Sequence, residues 1–198
     1  MLSRTEIADD AVTFVYTKNI SAMAGRTRRK LRAVADHDMP DDLLDRAVIR
    51  SVRVLVESEV AGVRAAGFAE RHARTARDRT IWAALHELED QTLAAVYEHL
   101  GDDAARFARL ANTVGAASGA AVAVLPHQLQ MRSLVIVTKL FVPHFRKLDE
   151  HFAGSSRTAF FSYVLAHELA IAELGRRALA HDDDPLAPVE ALLGNVPK

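Results

Sequence analysis

A chain of 198 residues, 49% apolar and 26% charged, is long enough to bury one sizeable core and far from the low-hydropathy composition of a disordered polypeptide. A formal net charge of -1 excludes a global field that would draw the molecule to nucleic acid or to an anionic membrane. The absence of cysteine excludes a disulfide framework, a thiolate metal site and a thiol nucleophile, and makes the reducing cytoplasm the expected compartment.

Alanine, leucine, arginine and glutamate dominate, and of the few prolines, at positions 40, 126, 143, 185, 188 and 197, all but Pro143 fall outside the long periodic stretches. The opening residues Met1-Leu2-Ser3-Arg4-Thr5-Glu6 lack the pattern of a secretory signal, and no run of about 18 apolar residues occurs, so neither export nor a membrane span is expected. The periodicity predicts six helical segments. The first covers Glu6 to Ala35, with Ser3 and Glu6 spaced as a capping box, and carries a basic cluster at Arg26, Arg28, Arg29, Lys30 and Arg32 that reads as a solvated face. After His37-Asp38-Met39-Pro40 a second runs from Asp41 to Thr75, and a third from Asp78 to Leu100 stops at Gly101. The fourth, Asp102 to Leu125, contains the small-residue stretch Gly115-Ala116-Ala117-Ser118-Gly119. The fifth, His127 to Phe152, holds Pro143, which should kink or split it. Ser156 is placed to cap a sixth helix from Arg157 to Ala180. No stretch alternates with period two, so the expected fold is an all-α, single-domain helical bundle over residues 1–180, followed by an acidic, proline-containing tail, 181–198, packing loosely on it.

A phrase occurs twice: an aromatic residue, three residues, then His-Glu-Leu, as Trp82 with His86-Glu87-Leu88 and Tyr163 with His167-Glu168-Leu169. Trp82, His86, Glu89, Leu93 and Val96 follow 4-3-4-3 spacing and share one seam. Glu59 lies one turn from Leu55, Val56, Gly62 and Val63, and the helix carrying His167 and Glu168 is apolar nearly all round. Ionisable groups among apolar neighbours need a partner or a metal. Each could be satisfied separately by a basic neighbour. The joint reading is that Glu59, His86, Glu89, His167 and Glu168 meet inside the bundle and ligate a metal, since carboxylate and imidazole ligands suit iron, manganese or zinc. A metalloprotease helix needs a second histidine four residues after the first, and positions 90 and 171 are Asp and Ile. No Gly-x-Ser-x-Gly turn supports a serine hydrolase, and no lysine-bearing phosphate loop is present.

The order of His86-Glu87-Leu88-Glu89, the small-residue helix, His167-Glu168-Leu169 and Asp182-Asp183-Asp184 before Pro188 resembles the ferritin-like superfamily of di-metal carboxylate proteins, and is similar to its demethoxyubiquinone hydroxylase branch. The resemblance covers Leu44 to Ala180 and implies a four-helix core with a glutamate on each of two helices and Glu-x-x-His on the other two. On that template Glu59 matches a lone glutamate. Asp90 and Ile171 stand where histidines are needed, and the fifth segment has no glutamate between His127 and Asp149, so the full ligand set cannot be assembled. The resemblance then implies an altered, mononuclear centre or a bundle without metal.

Two functions follow as expectations. One is a metal-dependent oxidoreductase or oxygenase, with iron or manganese activating dioxygen beside an apolar substrate pocket that includes Trp82, Phe160 and Tyr163. The other is a non-enzymatic bundle, without metal, that holds a lipid-like ligand or a protein partner. No helix-turn-helix spacing supports DNA binding, and a homodimer is compatible with the sequence.

Overall fold

In the computed structural model the described residues are 46–102, 104, 105, 107, 108, 120, 122 and 124–197. The first predicted helix with its basic cluster, and the Gly115–Gly119 stretch, lie outside them.

Four long helices and one short one are bounded within this part: α1 (Arg46–Arg71), α2 (Ala76–Leu100), α3 (His127–His151), α4 (Thr158–Leu179) and α5 (Ala187–Glu190). No strand occurs among the described residues, and the protein is an all-α helical bundle. No helix among them is long and apolar enough to cross a membrane. The bounds of α2 follow local chemistry. Thr75 sits in extended backbone (φ -121, ψ 157) and its side chain accepts from the Asp78 amide at 3.0 Å, starting α2. Gly101, at φ 55, adopts a left-handed conformation that ends α2, its N–H donating to the Tyr97 carbonyl at 2.9 Å. The described positions of the fourth predicted segment, 102, 104, 105, 107, 108, 120 and 122, are helical, and the chain turns at Val124.

Three local expectations are corrected. Pro143 does not split the fifth segment: α3 runs through it from His127 to His151, with Pro143 and Lys139 both exposed, so water reaches the carbonyl left without its donor. Ser156 does not cap α4: the residue before the helix is Arg157, no side chain caps it, and the Ser155 hydroxyl accepts from the Arg157 amide at 3.1 Å in the turn ahead of it. The tail is not loose. Pro188 lies in the first turn of α5, where its missing N–H costs nothing, and Val189 is fully buried with Leu186, Leu192 and Leu193 packed beside it. The Gly194 amide also donates to the Gln91 side chain at 2.9 Å.

Helix α1 packs against α2 and α3, and α4 packs against α3 with lighter contact to α2. The apolar interior falls into two clusters. One collects Leu55, Val56 and Val60 of α1, Ala95 and Val96 of α2, Phe145 and Leu148 of α3, and Phe160, Phe161 and Val164 of α4. The other collects Ala66 and Ala69, Ile81, Leu85 and Leu88, Met131, and Ile171 and Leu174 from the same four helices. Each helix crosses from one cluster to the other, and at the crossings stand the buried polar residues Glu59, Thr92, Thr138, His167 and Glu168.

Candidate metal centre

Glu59 of α1, Glu89 of α2 and His167 of α4 come together at this junction, each offering one ligand-type atom within 4.8 Å of the others. The imidazole lies between the two carboxyls, with Nδ1 3.6 Å from Glu59 Oε2 and Nε2 3.9 Å from Glu89 Oε2. Both separations are too long for hydrogen bonds. Neither ring nitrogen, nor Glu59 Oε2, has a hydrogen-bond partner, although all three atoms are shut away from solvent. Glu168, next in the chain to His167, is buried beside them, and its charge acts on Glu59. Among the described residues no lysine or arginine pairs with any of these acids; Arg53, the basic residue on the same stretch of α1, is held by Glu57 at 2.7 Å.

Burial sets the protonation of the group. It holds Glu59 well above the usual carboxylate range, and the charges of Glu89 and Glu168 add to the effect. It pushes Glu89 up to about 8 against the pull of a side-chain hydrogen bond with Glu59. Glu168 is raised by burial and then by Glu89. Burial pushes His167 down to about 3. Left to itself the cluster is therefore a set of neutral acids around a neutral imidazole.

These donors fit a cation. One ion would take a single nitrogen of His167 together with Glu59 and Glu89, whose ligand-type atoms all lie within 4.8 Å of one another, against roughly 3 to 4 Å for atoms about 2.1 Å from one ion, so small side-chain shifts would close them onto it. A divalent ion would be balanced by two carboxylates, and would satisfy Glu59 Oε2 and one nitrogen of His167.

A missing side chain makes room for Glu89. A Cβ on Gly62 of α1 would stand 2.3 Å from Glu89 Oε2, 2.4 Å from Cδ and 2.6 Å from Oε1, so the carboxyl lies directly on the α1 backbone. Gly67 does the same for His86, whose Nε2 would be 2.8 Å from a Cβ there.

His86 is not brought to the cluster, contrary to expectation. It does share a face with Glu89, since both point at α1. It sits toward the end of that helix, however, where it meets Glu70: His86 Nδ1 lies 2.8 Å from Glu70 Oε2, in a pair about one-third exposed on each side. Phe160 is not a pocket residue either. It is buried in the first apolar cluster and stacks on His99 at 4.2 Å between ring centroids. Tyr163 adjoins the cluster without lining the cleft beside it. Its hydroxyl is 3.4 Å from Thr92 Oγ1, and burial, followed by the charges of Glu59 and Glu89, holds it above its ordinary range against the effect of that hydrogen bond.

Trp82 does line the cleft, which has a volume of about 140 Å³ and is walled mainly by apolar side chains of all four long helices. Glu59, Glu89 and Glu168 form its polar end. The Trp82 ring is fixed by its N–H, which donates to the Gln130 side chain at 2.9 Å. Sequence reasoning did not reach Glu70, Gln130 or the cleft residues on α3. Fold and site together define an all-helical protein with buried acids and an imidazole beside an apolar cleft. No protein-family model, curated protein or solved structure matches the chain.

Proposed function

We propose that the protein is a metal-dependent oxidoreductase in which Glu59, Glu89 and His167 hold a single iron or manganese ion and a small apolar molecule occupies the adjoining cleft. The observation that carries this reading is the orphaned imidazole: a fully buried histidine with neither nitrogen partnered, set between two carboxyls that no lysine or arginine among the described residues pairs with. Buried polar groups without partners are rare in proteins and call for an explanation such as a bound ion. The ion would supply Lewis-acid and one-electron chemistry, which none of the side chains lining the cleft provides alone. Glu168, the remaining carboxyl at the polar end of the cleft, is held protonated by burial and would present a proton donor to a molecule bound there. One imidazole with two or three carboxyls is the altered, mononuclear form that the ferritin-like resemblance implies.

Metal analysis of untagged protein, with an optical spectrum, tests this reading. The expected result is close to one equivalent of iron or manganese, taken up again after chelation; below about 0.1 equivalent with no uptake by the stripped chain, the non-enzymatic bundle replaces it.

A further inference from the structure

The walls of the cleft restrict what can enter it. Its apolar surface is built from Ala61 and Ala65 of α1, Leu85 of α2, Val137 and Phe141 of α3 and Ile171 of α4. Five polar groups that touch it are already engaged. The hydroxyls of Ser58, Ser133 and Thr138 each donate to a carbonyl of their own helix, at 2.8, 2.6 and 3.1 Å. The Trp82 N–H is taken by Gln130 and the Glu57 carboxylate by Arg53. Among the described lining residues the polar groups left for a ligand are carboxyls alone, and Glu168 is the one outside the metal triad.

Size narrows the choice further. A cavity of about 150 Å³ lined by aliphatic and aromatic side chains accepts benzene, and this cleft has about 140 Å³. Among the described lining residues an anion would meet three unpaired acids and no base. A carbonyl oxygen offers no proton to a carboxylate, whereas a hydroxyl both donates and accepts and so suits a carboxyl in either protonation state.

We infer that the cleft binds one uncharged organic molecule of about a single ring's size bearing a hydroxyl, with its apolar body between α1, α3 and α4 and its hydroxyl against the Glu168 carboxyl. This deepens the proposed function by naming a substrate class for the same site. It rests on that reading for the chemistry but not for the binding, because the walls and Glu168 are in place without an ion.

Trp82 is the only tryptophan of the chain, so its emission reports on this cleft. The experiment titrates benzyl alcohol, toluene, benzoate and benzylamine into the full chain, stripped of metal and then metal-loaded, while following Trp82 fluorescence. The expected result is a saturable change with benzyl alcohol, about fivefold tighter than with toluene for one net hydrogen bond. Benzoate binds at least about tenfold more weakly than benzyl alcohol, as an unpaired buried charge requires. Glu168→Leu brings benzyl alcohol down to the affinity of toluene. Ala65→Leu, and independently Val137→Phe from the facing helix, weaken both neutral probes at least about tenfold by filling the space. Thermal melting confirms that each variant is folded. Benzylamine binding more tightly than benzyl alcohol would make the polar end a cation site and overturn the inference. Indifference of the neutral probes to both filling variants, or no saturable change with either neutral probe, would overturn it equally. Benzyl alcohol binding to a chain that takes up no metal would leave the cleft assignment standing and remove the metal reading alone, so the two failures are read apart.

Discussion

Replacing Gly62 by alanine separates the stability of the fold from the integrity of its centre. Gly62 lies inside α1, where glycine costs about 1 kcal/mol relative to alanine, so the substitution favours the helix by roughly that amount. The new methyl would lie 2.3 to 2.6 Å from three atoms of the Glu89 carboxyl. No backbone atom of α2 is among the three nearest contacts; the obstacle is the end of a flexible side chain, which can swing away. Moving that carboxyl relieves the apo protein of a buried acid that burial has pushed up to about 8. The metal-free variant should therefore melt no lower than the parent, and by up to about 1 kcal/mol higher. Its affinity for iron(II) or manganese(II) should fall at least about 100-fold, because one ligand of three is displaced. Calorimetric unfolding of the stripped proteins and metal titration monitored by competition with a chelator give the two quantities. Unchanged metal affinity with unchanged melting would show that Glu89 does not hold the ion, and a variant destabilised by several kcal/mol would show that its carboxyl is wedged rather than movable.

The acids and the histidine make metal-free stability depend on pH in a fixed direction. Glu89, with a folded value near 8, keeps a proton that the unfolded chain releases near 4.5, so stability falls by about 1.4 kcal/mol per pH unit for each such group across that window, and Glu59 and Glu168, raised likewise, add to the fall. His167, near 3 when folded, gives the opposite slope below its unfolded value of 6.5. Melting of the stripped protein should thus decline from about pH 5 to 8, and saturating metal should flatten or reverse the decline, since the ion binds the deprotonated form; a decline indifferent to metal would count against the centre. His167→Leu should abolish metal binding and raise the melting temperature of the metal-free protein, because it removes two orphaned nitrogens from the interior. His86→Ala should leave metal affinity within about threefold and cost under about 1 kcal/mol, as a partly exposed ion pair does. Val189→Ala should destabilise by about 1 to 3 kcal/mol in urea titration, where a loosely attached tail would give no change.

Much of the site was legible because the sequence placed acids and a histidine where helix periodicity demanded apolar residues. Glu59, Glu89, His167 and Glu168 all break an apolar stripe and lie near one another, three of them buried and Glu89 mostly so. Periodicity gives the face of a helix but not the point along its neighbour that the face meets. That is why His86, correctly set on the seam of Glu89, was wrongly carried to the centre: α1 runs on past Gly67 to Glu70, and His86 stops there. A helix apolar all round gives no face at all, so nothing in the sequence could tell that Phe160 turns toward His99 while Ile171 turns toward the cleft. The tail was misjudged because its prolines and aspartates read as breakers, whereas Pro188 occupies a first-turn position that tolerates it and the leucines around it complete the second apolar cluster.

The division of the interior into two apolar clusters has an energetic meaning. Filling the junction at Glu59, Glu89, His167 and Glu168 with aliphatic side chains would join the clusters into one core, and such replacements of buried polar groups are often stabilising. The chain instead places three acids and an imidazole there, makes room for one of the acids with a glycine that weakens its own helix, and holds the acids neutral chiefly by burial. A ligand that binds only the folded state adds stability in proportion to the logarithm of its concentration over its dissociation constant, and a cation at this junction would offset the cost of the polar groups buried there. On the proposed reading, stability and function therefore oppose each other at the same few residues: Gly62→Ala and His167→Leu should each favour the metal-free fold while disabling the centre, and a substitution that improved both together would be incompatible with a site maintained at the expense of the core.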